Sequence, residues 1–99
     1  VTEHQFTADL WQWKAREEGA GAWFFLSLPF DVADAIDETA PSKGFGSVRV
    51  EVTIGATTWR TSVFPSAAEK TFLLPVKKAV RAKEGLVEGS GCVVRLRTV

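Results

Sequence analysis

Side chains able to do covalent or acid–base chemistry are scarce in this sequence: His4 is its only histidine and Cys92 its only cysteine. A general base must be held in fixed geometry against the proton it moves. The first residues of a chain seldom provide that, so His4 is read as a surface histidine. Cys92 shares strand parity with Val94 and Leu96, the inward side, and is expected to be a buried, inert thiol. One His and one Cys cannot build a zinc cluster of the usual type. Asp31, Asp34, Asp37 and Glu38 offer oxygen ligands, but they fit the solvated face of a helix better, with Asp31 complementing the helix dipole. No nucleophile elbow, Walker loop or dinucleotide fingerprint occurs, and "GFG" and "GSG" are turn glycines. The expectation is a protein that is not an enzyme, with no catalytic residue, no metal site and no cofactor.

Binding chemistry is better represented. There are four tryptophans among 99 residues, more than a core of this size needs. Trp11 and Trp13 share a strand face with Thr7 and Asp9, whereas Phe6, Ala8 and Leu10 take the other. Exposed beside Lys14 and Arg16, they would make a platform for bases or for a partner's apolar patch; packed under helices, they would be core. Trp23, inside "AWFFLSL", is assigned to the core. Lys77, Lys78, Arg81 and Lys83 make the second helical segment basic, Arg95 and Arg97 follow in the last strand, and the first helical segment is acidic. The candidate binding surface is therefore Lys77, Lys78, Arg81, Lys83, Arg95 and Arg97 with Trp11 and Trp13. One contiguous face would favour nucleic acid, and dispersal would favour a scaffold.

The elements that must position these residues are legible from periodicity. "SVRVEVTI" alternates Val48, Val50, Val52 and Ile54 against Arg49, Glu51 and Thr53, a half-buried strand. "FTADLWQWK", "AWFFLSL", "TTWRTSVF", "KTFLL" and "CVVRLRTV" complete six strands, with turns at "EEGAG", "PSAAE" and "GLVEGSG". Pro29 and Pro75 are each placed at the first position of a short helix, where a missing N–H costs nothing. Phe30, Ala33 and Ile36 recur at helical spacing in the first, and Val76, Ala79 and Val80 face inward in the second. The loop "DETAPSKGFG" ends the first helix.

Shifting the chain on itself by 46 residues lays Trp13-Lys14 on Trp59-Arg60, Leu28-Pro29 on Leu74-Pro75, and Val48-Arg49-Val50 on Val94-Arg95-Leu96. The expected domain, residues 1–99, is thus a tandem strand-strand-helix-strand repeat, approximately 12–53 and 58–99. Six strands from such a repeat point to a small β-barrel with two capping helices, since closure removes exposed edges. A two-layer α+β sandwich is the alternative.

The succession "GAWFFLSLPFDVADAI", "GSVRVEVTIGATTWRTSVF" and "FLLPVKKAVRAKEGLVEGSG" resembles the family known as domain of unknown function nineteen-oh-five, over about residues 5–98. The resemblance implies a double-split β-barrel, related in fold to AbrB-like swapped-hairpin proteins, and implies no activity. Ser90 stands where an Asp is common in the family, which questions the hydrogen-bonded turn at that point.

Twelve basic and twelve acidic residues cancel, so bulk charge argues neither for nor against a polyanionic partner. The eleven-residue run "AGAWFFLSLPF" is shorter than the ~20 residues a membrane helix needs, and "VTEHQFTAD" lacks the features of a signal peptide. A single cysteine fits a reducing compartment. The expectation is a cytoplasmic binding or scaffold module with no membrane association. Its partner is left open by the sequence, a protein or a second copy being compatible, with nucleic acid the lesser alternative and a small-molecule or enzymatic barrel a third.

Overall fold

A computed structural model of the chain describes residues 3–13, 23–39 and 46–99. Seven antiparallel strands form a curled half-barrel sheet with two short helices. In chain order they are β1 (Glu3–Asp9), β2 (Trp11–Trp13), β3 (Trp23–Ser27), α1 (Phe30–Thr39), β4 (Val48–Ile54), β5 (Thr57–Ser66), β6 (Thr71–Pro75), α2 (Lys78–Glu84) and β7 (Gly91–Thr98). The strand order is β1-β7-β4-β5-β6-β3-β2, so the two outermost strands are consecutive in the chain.

Alternation dictates which side of the sheet becomes the core. Val48, Val50, Val52 and Ile54 are all buried, as are Val63, Cys92, Val94, Leu96, Leu26 and Leu74 from the neighbouring strands. Val32, Ala33 and Ile36 of α1 and Val80 of α2 close over that surface. Burying a residue such as Ile36 fully contributes about 1.5–3 kcal/mol, so α1 is held by its apolar stripe more than by helix propensity.

Six strands were expected and seven are found, because the first segment breaks at Leu10. That residue is buried, its N–H donates to the Ser90 carbonyl at 2.9 Å, and its carbonyl accepts from Gly89 N–H at 2.7 Å. The chain thereby leaves the β7 ladder at Asp9 and joins β3 at Trp11. The turn beside it survives Ser90: the Ser90 hydroxyl accepts from Val87 N–H at 2.9 Å, the bond an Asp carboxylate would make.

Three further expectations are corrected. Pro75 ends β6 instead of opening α2, because Val76 N–H donates to the Phe24 carbonyl at 2.9 Å and keeps the chain extended there. Ala79 is exposed, so Val76 and Val80 alone carry the inward face of the second helical segment. Phe30 at the start of α1 is also exposed. The match of Trp13 with Trp59 pairs unlike positions: Trp13 lies opposite Trp23 and is half exposed, whereas Trp59 lies opposite Val52 and is buried. Two ladders do join residues 46 apart, with Ser27 opposite Leu73 and Glu51 opposite Arg97. The turn "EEGAG", Lys14, Arg16 and residues 40–45 of the loop after α1 lie outside the described residues.

Candidate binding groove

β3 begins at Trp23, β5 passes at Trp59–Thr61, and β6 ends at Pro75, leaving a groove of about 690 Å³ beside α2. Its apolar lining comes from Trp23, Phe24, Trp59, Pro75 and Val76, and its cations are Arg60, Lys77, Lys78 and Arg81. Phe24 and Trp59 are on the inner face of the sheet, Trp59 buried and Phe24 half-buried at the groove. The Val76–Phe24 backbone bond fixes the link between β6 and α2 against β3, and so sets the groove's width.

Arg81 is the most constrained of the cations. Its guanidinium lies 3.9 Å from the centroid of the Phe24 ring, and its Nε donates to the Val76 carbonyl at 3.2 Å. Stacking of this kind is worth about 0.5–1 kcal/mol where partly exposed. Arg60 already serves another partner, donating from Nε to the Glu51 carboxylate at 3.2 Å. Lys77 and Lys78 are exposed, and neither they nor Arg81 form an ion pair among the described residues.

The eight residues expected to form a surface are dispersed. Lys77, Lys78 and Arg81 meet at the groove, while Lys83 is exposed on α2 away from it. Arg95 and Arg97 belong to the outer face of β7, where Glu3, Glu51 and Thr53 surround them. Arg97 donates to Glu51 at 3.0 and 3.1 Å, and with Arg60 it holds the Glu51 carboxyl below its ordinary range. That end of the sheet is charge-balanced. Trp11 and Trp13 sit on β2, where Trp11 Nε1 donates to the Ser27 hydroxyl at 3.0 Å. Trp11 packs on Phe25 at 5.4 Å and Trp23 stacks on Phe25 at 6.4 Å, making an aromatic cluster on the outer face.

Trp23 is where the two features meet, because it belongs to the cluster and also lines the groove. Its assignment to the core was wrong: it is 53% exposed. It shares strand parity with Phe25 and Ser27, opposite to the buried Leu26, and so stands on the outer face. Phe24, Trp59 and Val76 were not picked out as site residues. Trp59 shares strand parity with Val63, which marks it as inward, but its place beside the groove depends on where α2 begins.

The remaining chemistry stays structural. Cys92 is buried, its Sγ lies 3.6 Å from the Ser90 carbonyl, and burial, then the Asp9 charge, pushes its thiol pKa up. His4 is half-buried in β1 opposite Leu96 instead of lying on the surface. Asp31, Asp34, Asp37 and Glu38 are all exposed along α1, as a solvated face requires. No group of three or more His, Cys, Asp or Glu among the described residues is placed to hold a metal. No helix among them is long and apolar enough to cross a membrane.

The model of the family described as domain of unknown function (DUF1905) matches residues 6–96. No curated protein matches the chain.

Proposed function

The chain belongs to the DUF1905 family, and from that premise we propose that it is a non-catalytic binding module whose recognition site is the groove between β3, β5, β6 and α2. The observation that carries this is the coincidence, in one concavity, of an apolar lining with three cations, Lys77, Lys78 and Arg81, that have no acidic partner among the described residues. Sites for small ligands are concave, mostly apolar and supplied with a few placed polar groups, over roughly 300–1,000 Å³. We assign no catalysis to the groove, since the polar groups converging on it are cations and Thr61, with no acid–base or nucleophile pair. Cytoplasmic residence fits the lone buried thiol.

A nucleic-acid role fits less well. Tracking a phosphate backbone needs a continuous basic face. Here Arg95 and Arg97 are interleaved with Glu3 and Glu51, apart from the cations of α2.

The same proposal extends to the architecture: a duplicated unit closing into a six-stranded double-split barrel, with β1 and β2 acting as one bent strand. It is supported by the strand-strand-helix-strand order of each half and by the two ladders that join residues 46 apart. Helix α1 begins directly after Pro29, whereas α2 begins two residues later than the 46-residue register places it, so the test is the superposition of the strands of 12–53 on those of 58–99; strands that fail to overlay would end the claim.

The site itself is tested by nuclear magnetic resonance with a set of small aromatic fragments. The four tryptophans supply four indole N–H signals as position-specific reporters. Binding in the groove shifts the Trp23 and Trp59 signals first. Fragments that move only Trp11 and Trp13, or none that bind, would refute the assignment.

A further inference from the structure

We infer that the groove takes a small amphiphilic anion: a flat or acyl apolar body carrying one carboxylate or phosphate group. The inference rests on the binding-module reading and adds the chemical class of the ligand. Its first support is the division of labour within the lining. Trp23, Phe24, Trp59, Pro75 and Val76 offer rings and aliphatic surface, and the neutral polar groups of the lining side chains are the Thr61 hydroxyl and the two indole N–H groups. Such a floor selects an apolar body over a polar one.

The second support is the placement of charge. Arg81 is pinned through Nε to the Val76 carbonyl and through its face to Phe24, which leaves both terminal nitrogens without a partner among the described residues. Two parallel N–H donors match the oxygens of a carboxylate or phosphate. Lys77 and Lys78 stand on the same rim and add point charge. Arg60 is matched by Glu51, so the excess charge is confined to the α2 side. A single anionic head at Arg81 with a body running toward Trp23 and Pro75 pairs the free guanidinium nitrogens and covers apolar lining at once. A polyanion would leave the apolar floor uncovered, and the volume of about 690 Å³ suits a small molecule.

The probes are 1-anilinonaphthalene-8-sulfonate and N-phenyl-1-naphthylamine, which share a ring system and differ by one sulfonate. Both are titrated into the full chain, followed by dye fluorescence and by energy transfer from tryptophan. The anionic dye is expected to bind at least roughly tenfold more tightly, since a charge-assisted pair contributes about that factor. Lys78→Gln with Arg81→Gln should remove this advantage and leave the neutral dye unchanged within about twofold. Because Arg81 also packs on Phe24, Lys77→Gln with Lys78→Gln serves as a second variant that alters only exposed side chains. Melting curves check that each variant remains folded.

Equal affinity for the two dyes, with the tryptophan response intact, overturns the anion inference and leaves the groove standing. Failure of both dyes to bind overturns the groove as well. Competition with decanoate and with decyl phosphate then separates a carboxylate from a phosphate head, and displacement by neither refutes the inference. If dye affinity falls as protein concentration rises while sedimentation shows a dimer, the occupant is a second copy and the small-anion inference fails.

Discussion

The short helix α2 and its N-cap residue Lys77 carry three of the groove's four cations, so whatever holds the helix in place controls the site, and Gly55 gives a direct way to measure that. Gly55 opens the two-residue turn between β4 and β5 with φ +59°, and Gly85 caps α2 with φ +64°. Alanine at either position meets the left-handed penalty, about 1 kcal/mol. At Gly85 nothing lies near the added Cβ, so the cost should stop there. At Gly55 the Cβ would run into the carboxylate of Glu84, the last residue of α2, which accepts a 2.6 Å hydrogen bond from the Thr57 hydroxyl. Losing that partly exposed, charge-assisted bond adds about 1–2 kcal/mol. Gly55→Ala is therefore expected to cost about 2–3 kcal/mol and Gly85→Ala about 1. For a domain of this length each kcal/mol lowers Tm by about 4–8 °C. The assay is thermal melting of both variants, alone and combined with Glu84→Ala. Removing the carboxylate should bring Gly55→Ala down to the cost of Gly85→Ala. Equal costs in the native background, or no relief from Glu84→Ala, would show that the contact does not hold α2.

Three other outcomes are expected. Cys92 should react with a disulfide reagent at pH 8 far more slowly than in the unfolded chain, since burial raises its thiol pKa; comparable rates would mean the inward side of β7 is open. Glu51 is held below its ordinary range by Arg97 and then Arg60, so the stability it lends is complete above the unfolded value of about 4.5 and is lost as pH falls through the lower folded value. Glu51→Gln should flatten that part of the acid limb in a pH series of melts, and an unchanged limb refutes the pairing. Thr71 is buried and donates to the Leu28 carbonyl at 2.8 Å, so Thr71→Val, which keeps the shape, should cost about 1–2 kcal/mol by chemical denaturation; a neutral change would mean that the carbonyl finds another donor.

What the sequence made legible was whatever depends on local period. Alternation in "SVRVEVTI" located β4 and its inner face, and the parity of Cys92 with Val94 and Leu96 located the buried thiol. What stayed hidden depended on pairings between distant segments. Leu10 continues the alternation of Phe6 and Ala8, and nothing local says that its backbone is claimed by Gly89 and Ser90. Leu-Pro precedes both helices, but Pro75 stays in a strand because Phe24, fifty-one positions earlier in the chain, takes the next N–H. Trp23 looked like core because its neighbours are apolar; which parity of β3 faces inward is set by the pairing of buried Leu26 with buried Leu74. The groove was invisible for the same reason, since its residues come from β3, β5, β6 and α2.

The groove exists because the two helices cap unequally. α1 has ten residues and buries Val32, Ala33 and Ile36. α2 has seven and buries Val80 alone. The 46-residue register does not hold across their buried faces: Val32, Ala33 and Ile36 fall on Lys78, Ala79 and Ala82, all exposed. Beside the shorter helix Phe24 is left half-buried, and Lys78 and Arg81 of that helix stand at the opening. Helices of this length are marginal alone. α2 instead depends on Val80, on Glu84 over the Gly55 turn, and on Arg81 against Phe24 and Val76. Arg81 thus belongs both to the helix's anchorage and to the proposed anion site. A ligand that recruits its terminal nitrogens should tighten α2 as a whole, which would appear as slowed amide exchange from Val80 to Gly85 on binding.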